Sequence, residues 1–85
     1  MSEPYDEVTG MVAALIGAHA LAPGEADALL RLAKVVADAS GDRRSAPLTC
    51  YLAGQALGGV RDGAARVVQI EELAAQLGDD APAAR

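Results

Sequence analysis

The stretch GDRRSAPLTCYLAGQALGG, Gly41–Gly59, decides the fold prediction for this chain. Gly41 suits the left-handed position that follows the last residue of a helix. Ser45 is predicted as the N-cap of the next helix, and Pro47 falls in its first turn, where a missing N–H is tolerated. Gly58 and Gly59 are predicted to end that helix. The stretch therefore predicts the end of one helix followed by a complete short helix.

Helical spacing of apolar residues extends to both sides of this stretch. A second helix is predicted between Pro23 and Gly41, and another begins at its predicted cap, Asp62. The first helix is predicted over about residues 6–20 because large apolar side chains recur there at three- and four-residue intervals: Val8, Met11, Val12, Leu15 and Ile16.

These four helices predict an all-α fold without strands, because no segment alternates with period two for long enough. Gly78 is predicted to end the last helix, and residues 79–85 to form a flexible C-terminal tail. We expect residues 1–78 to be a single helical domain, a compact, four-helix bundle-like arrangement with short loops.

The composition of the chain disfavours several classes of function and cellular location. The 85 residues carry a net charge of −5, which disfavours nucleic acid, whose binders neutralise phosphates with basic residues, and equally an anionic membrane surface. One cysteine cannot form an internal disulfide, and the acidic N-terminal sequence MSEPYDE lacks the features of a signal peptide. The longest apolar run, Met11–Ala22, is too short to cross a bilayer. The sequence predicts a cytoplasmic protein.

Two residues of the sequence are candidates for catalytic groups. His19 lies on the apolar stripe near the predicted end of the first helix and is interpreted as a partly buried imidazole. Cys50 is interpreted as a small buried apolar side chain, because a catalytic thiol needs a base beside it. No set of metal ligands at a recognisable spacing occurs. We expect no enzymatic activity, metal or cofactor; an enzyme centred on Cys50 with His19 is the alternative.

The pair Arg43–Arg44 is the strongest candidate for recognition. A helix start presents backbone N–H groups, and two guanidiniums beside it add forked donors for an anion. With Ser45 and Thr49 these arginines form the predicted binding site, for a phosphorylated ligand or a partner's carboxylate. The alternative interpretation is a solvated loop.

Gly54 and Gly58 lie four residues apart on one face of the third predicted helix. Glycines inside a helix cost roughly 1 kcal/mol each relative to alanine, so they suggest close packing at that face. We expect this packing to be intramolecular. A homodimer contact is the alternative.

The segment RSAPLTCYLAG, residues 44–54, resembles the signature R-x-A-P-L-T-x-x-L-x-G of a small actinobacterial family of unknown function. The resemblance covers about Ala26–Gly59, including the helix ALLRLAKVVAD. It implies a helical fold and a connection with molybdenum-cofactor guanylyltransferases, to which such domains are appended or near which they occur. It implies no catalytic residues.

Together these observations predict a non-catalytic accessory or protein-interaction domain, with a molybdenum-cofactor enzyme as the partner that the resemblance implies. The alternative is a small binding module for a phosphorylated or nucleotide ligand at the corner between the second and third helices.

Overall fold

A computed structural model of the chain describes residues 3–80. It contains four helices: α1 (Pro4–Ile16), α2 (Glu25–Ser40), α3 (Ser45–Leu57) and α4 (Gly63–Asp80). The predicted all-α fold with four helices and short connections is confirmed, and no strand occurs among the described residues. None of these helices combines the length and apolar character that crossing a bilayer requires.

The core is made by α2, α3 and α4. Leu32 of α2 and Ile70 of α4 are its largest fully enclosed side chains, and α3 contributes a single buried residue, Ala53. Alanine at such a position lets two helix backbones approach closely while burying little area. The complete buried cluster is Ala28, Leu32, Val36, Ala53, Ile70 and Ala74.

Two helix ends differ from their predictions. α1 ends at Ile16, four residues early, because Gly17 adopts a left-handed conformation with φ 73°, which stops a helix. α4 does not end at Gly78 but continues to Asp80, since Gly78 is not among the glycines with positive φ. Asp79 and Asp80 of the predicted tail are thus helical, and residues 81–85 lie outside the described part of the chain.

Backbone hydrogen bonds and a side-chain cap define the turns at three helix ends. Gly41 has φ 72° and its N–H donates to the carbonyl of Ala37, which confirms its predicted place after α2. Before α2, the N–H of Glu25 donates to the carbonyl of Ala22 at 2.9 Å. The predicted cap Asp62 accepts the N–H of Ala64 at 3.1 Å at the start of α4. These bonds define where α2 and α4 begin and where α2 ends.

Candidate protein-interaction surface

The apolar stripe of α1 faces solvent. No residue of α1 is buried, and Leu15 and Ile16 are 81% and 71% exposed. Between Val8 and Gly24 the sequence has no Asp, Glu, Lys or Arg. No neighbouring charged side chain therefore offsets the unfavourable exposure of these apolar residues to water. We call the following residues the α1 stripe: Val8, Met11, Val12, Leu15 and Ile16.

The larger side chains of α3 also point away from the core. Leu48, Tyr51 and Leu52 lie on one helical face, and that face is exposed; Tyr51 is 67% exposed. The opposite face of α3 contributes to the core, because its small residue, Ala53, allows close approach to α2. No charged residue occurs in α3. We call Leu48, Tyr51 and Leu52 the outer face of α3.

The predicted intramolecular packing of the α3 glycines is wrong for Gly54. A Cβ built on Gly54 would meet no atom within 4 Å outside its own helix. At Gly58 the nearest atoms are backbone carbonyl oxygens of Gly54 and Gln55, each at 3.5 Å. Nothing else in the described chain therefore requires a glycine at position 54, although glycine weakens a helix there.

The predicted anion site at the start of α3 is already occupied by an acidic side chain. Asp42 accepts the backbone N–H of Arg44 at 2.9 Å and pairs with its guanidinium at 2.7 Å. These bonds, the side-chain one above all, hold the pKa of Asp42 below its usual range. Ser45 is not the N-cap; Arg44 precedes the helix, and the N–H of Ser45 donates to the Asp42 carbonyl. The side chain of Asp42, rather than that of Ser45, accepts a backbone N–H at the start of the helix.

The four predicted site residues do not converge on one pocket. Ser45 and Thr49 line a groove of about 650 Å³ between α2, α3 and α4, whose other walls are mainly alanine, valine and leucine. Arg43 and Arg44 lie outside that lining. Arg43 is exposed and forms no ion pair with another described residue. The groove is therefore apolar, with hydroxyls at one edge, and holds no positive charge.

His19 and Cys50 lie on one groove of about 490 Å³, lined also by Leu21, Gly54 and Leu57. The prediction that His19 lies on the helical stripe and is partly buried is wrong: α1 has ended, and His19 is exposed. Cys50 is half-buried, and this burial raises the pKa of its thiol, which lowers its reactivity. No hydrogen bond joins the two side chains in the described structure. Within residues 3–80, no three His, Cys, Asp or Glu side chains are grouped to hold a metal ion.

A buried ion pair was not predicted from the sequence. Glu25 is only 6% exposed, and its carboxylate accepts hydrogen bonds from Arg66 Nε at 2.7 Å and from Arg66 Nη2 at 3.1 Å. The hydrogen bond from Arg66 lowers the pKa of Glu25, against the effect of burial. Arg66 also donates to the Val60 carbonyl at 2.8 Å. The pair joins α2, α4 and the turn before α4, and both partners are satisfied, so it is structural.

The comparisons with known proteins identify a family but no activity. The model of a family described as a domain of unknown function, DUF6457, matches residues 2–84. Neither the curated proteins nor the solved structures include one that matches the chain.

Proposed function

The chain belongs to the DUF6457 family of unknown function, and we propose that it is a cytoplasmic, non-catalytic protein-interaction domain. The partner binds the α1 stripe and the outer face of α3. The observation that carries the proposal is the exposure of eight large apolar side chains on two helices whose only charged residues are Asp6 and Glu7 of α1. Each face is a run of neighbouring apolar side chains on one helix, and apolar patches beyond a few hundred Å² on a monomer usually mark an interaction site.

The supporting argument is energetic. Burying a Leu, Ile, Val or Met side chain fully is worth about 1.5–3 kcal/mol, and the α1 stripe leaves most of that stabilisation unused. The outer face of α3 adds a second set of exposed apolar side chains: Leu48, Tyr51 and Leu52. Tyrosine is a residue type that is enriched at the centres of interfaces. The lack of catalysis is proposed because burial raises the pKa of Cys50 and His19 forms no hydrogen bond with it.

The test is co-purification of the tagged chain from its source cells, with quantitative mass spectrometry of the eluate. We expect a partner that is lost with Leu15→Glu and with Tyr51→Glu. Val68→Glu is the matched control, because Val68 is similarly exposed but lies on α4. A set of bound proteins that is the same for all four chains would contradict the proposal.

The resemblance of residues 44–54 makes a molybdenum-cofactor enzyme the first partner to look for in that eluate. The double variant Arg43→Ala/Arg44→Ala measures whether the α2–α3 corner also contributes. Loss of the partner with this variant, at unchanged helicity, would extend the interaction surface to the corner.

The alternative, a module for a phosphorylated ligand at this corner, has less support. An anion there would compete with Asp42 for the N–H of Arg44 and for its guanidinium. We expect millimolar GTP or inorganic phosphate to leave the melting temperature unchanged, whereas a bound ligand would raise it.

A further inference from the structure

We infer that the first occupant of these two apolar faces is a second copy of this chain. The α1 stripe of each copy packs on the outer face of α3 of the other, so that a two-fold dimer contains this contact twice. The inference rests on the proposed function, because it names the partner of the same surface.

The exposed apolar area is of the order that a dimer interface needs. The eight side chains are each about half to four-fifths exposed, so each copy offers on the order of several hundred Å², comparable with the roughly 800 Å² per partner in a standard interface. A reciprocal dimer covers both faces of both copies. Contacts only between two α1 helices, or only between two α3 helices, would leave the other face in water.

The two helices also match in length. α1 and α3 have 13 residues each, so both are about 20 Å long. Gly54 lies beside the outer face of α3 and has open space where a Cβ would be. A glycine at that position allows another helix to approach closely, which accounts for a residue that packing within one copy does not require.

Charge at the helix ends is complementary. The first turn of α1 carries Asp6 and Glu7. Arg43 lies just before α3 and Arg61 just after it, and neither forms an ion pair with a described residue. An α1 helix docked along α3 therefore brings its acidic turn to an arginine, at Arg43 if the two helices run parallel and at Arg61 if they run antiparallel. Such contacts favour one partner over others.

The test is the solution mass of the purified chain at micromolar concentration, by sedimentation equilibrium. We expect twice the 8.6 kDa of one chain. Leu15→Glu and Tyr51→Glu should each raise the dissociation constant at least about tenfold, whereas Val68→Glu should leave it unchanged. Circular dichroism checks that each variant keeps its helices; if Leu15→Glu unwinds α1, Leu15→Ala provides the same test with a strong helix former.

Mixing the two variants tests the pairing of α1 with α3. In a heterodimer of the Leu15→Glu and Tyr51→Glu chains, one of the two reciprocal contacts is intact, because the unchanged α1 of one chain meets the unchanged α3 of the other. We expect the equimolar mixture to form dimers under conditions where each variant alone is monomeric. Pairing of α1 with α1 and of α3 with α3 leaves no intact contact, so a mixture that stays monomeric would overturn the inference.

A wild-type chain that is monomeric at high micromolar concentration would also overturn it, as would a dimer that both substitutions leave intact. Failure of this inference is separable from failure of the proposed function. If the purified chain is monomeric but capture of a cellular partner still depends on Leu15 and Tyr51, only the second-copy inference fails. If neither self-association nor capture depends on them, both fail.

Discussion

Replacement of Glu25 by glutamine is the most informative single perturbation of the fold. The carboxylate oxygens accept hydrogen bonds from the N–H of Ala22 at 2.8 Å, from Arg66 Nη2 at 3.1 Å and from Arg66 Nε at 2.7 Å. The amide of glutamine keeps one acceptor oxygen and places an NH2 group where the other oxygen was. If the oxygen stays with Ala22, the new NH2 faces the Nε–H of Arg66, so that two donors meet.

The magnitude follows from these contacts. Hydrogen bonds to charged groups contribute about 1.5–3 kcal/mol each, and breaking a buried pair costs about 3–5 kcal/mol. The Arg66 side chain remains 14% exposed, so water stabilises part of its unpaired charge and the loss falls below that range. We expect Glu25→Gln to lower the free energy of unfolding by about 2 kcal/mol, a large share of the roughly 5–15 kcal/mol of a typical domain.

The effect depends on pH with a definite sign. Arg66 lowers the pKa of Glu25 in the folded chain. The stabilisation from this carboxylate is therefore complete above the pKa of an unfolded glutamate, about 4.3, and decreases as the pH falls through the lower folded value. The wild type and Glu25→Gln should consequently differ most near pH 7 and become similar in strong acid.

The assay is urea unfolding followed by circular dichroism, at one protein concentration for all chains because association also stabilises. With a slope of about 1–2 kcal/mol per molar urea, the midpoint should move down by roughly 1–2 M. Glu72→Gln is the control, because Glu72 is exposed and forms no ion pair with a described residue. If Glu25→Gln shifts the midpoint no more than this control, or by the same amount at all pH values, the reasoning is refuted.

Four further outcomes are expected. Gly63→Ala should cost about 1–3 kcal/mol in urea unfolding, because a Cβ there would collide with the Cβ of Ala22; an unchanged midpoint would exclude that contact. Gly54→Ala, made in a Leu15→Glu background that prevents association, should raise the melting temperature through helix propensity alone, and a decrease would mean that position 54 is packed within the chain. Asp42→Ala should reduce the melting temperature and helicity, since Asp42 accepts the N–H of Arg44; unchanged melting would remove its capping role. Cys50 should react with iodoacetamide more slowly in the folded chain than in urea, because burial raises its pKa, and equal rates would contradict this.

Local signals in the sequence were sufficient for the order of the helices. The backbone favours glycine at position 41, between α2 and α3, because φ is positive there. Asp62 precedes α4, where its side chain accepts a backbone N–H of the first turn. Apolar spacing likewise identified α2 and α4, whose stripes form the core. The sequence mispredicted two helix ends, because a glycine in a helical pattern can either end the helix or lie within it. Gly17 ends α1, whereas Gly78 lies within α4.

The candidate surface could not be predicted, because helical periodicity does not say which apolar face is buried. α3 has apolar side chains around most of its circumference, and the choice of Ala53 over Leu48 and Tyr51 for the core depends on how closely α2 approaches α3. The pair of Glu25 with Arg66, 41 residues apart, is likewise a consequence of tertiary structure. The predicted arginine corner remains a prediction, with Asp42 now placed beside it.

Site-specific photo-crosslinking in living cells tests the interaction surface most directly. A photoreactive phenylalanine analogue is placed at position 15, 51 or 68, one on α1, one on α3 and one on α4, each exposed in a single copy. We expect irradiation to join the chain to a protein, another copy or a different one, from positions 15 and 51 but not from 68. Equal adduct yields at all three positions, or none at 15 and 51, would contradict an interaction function for this surface.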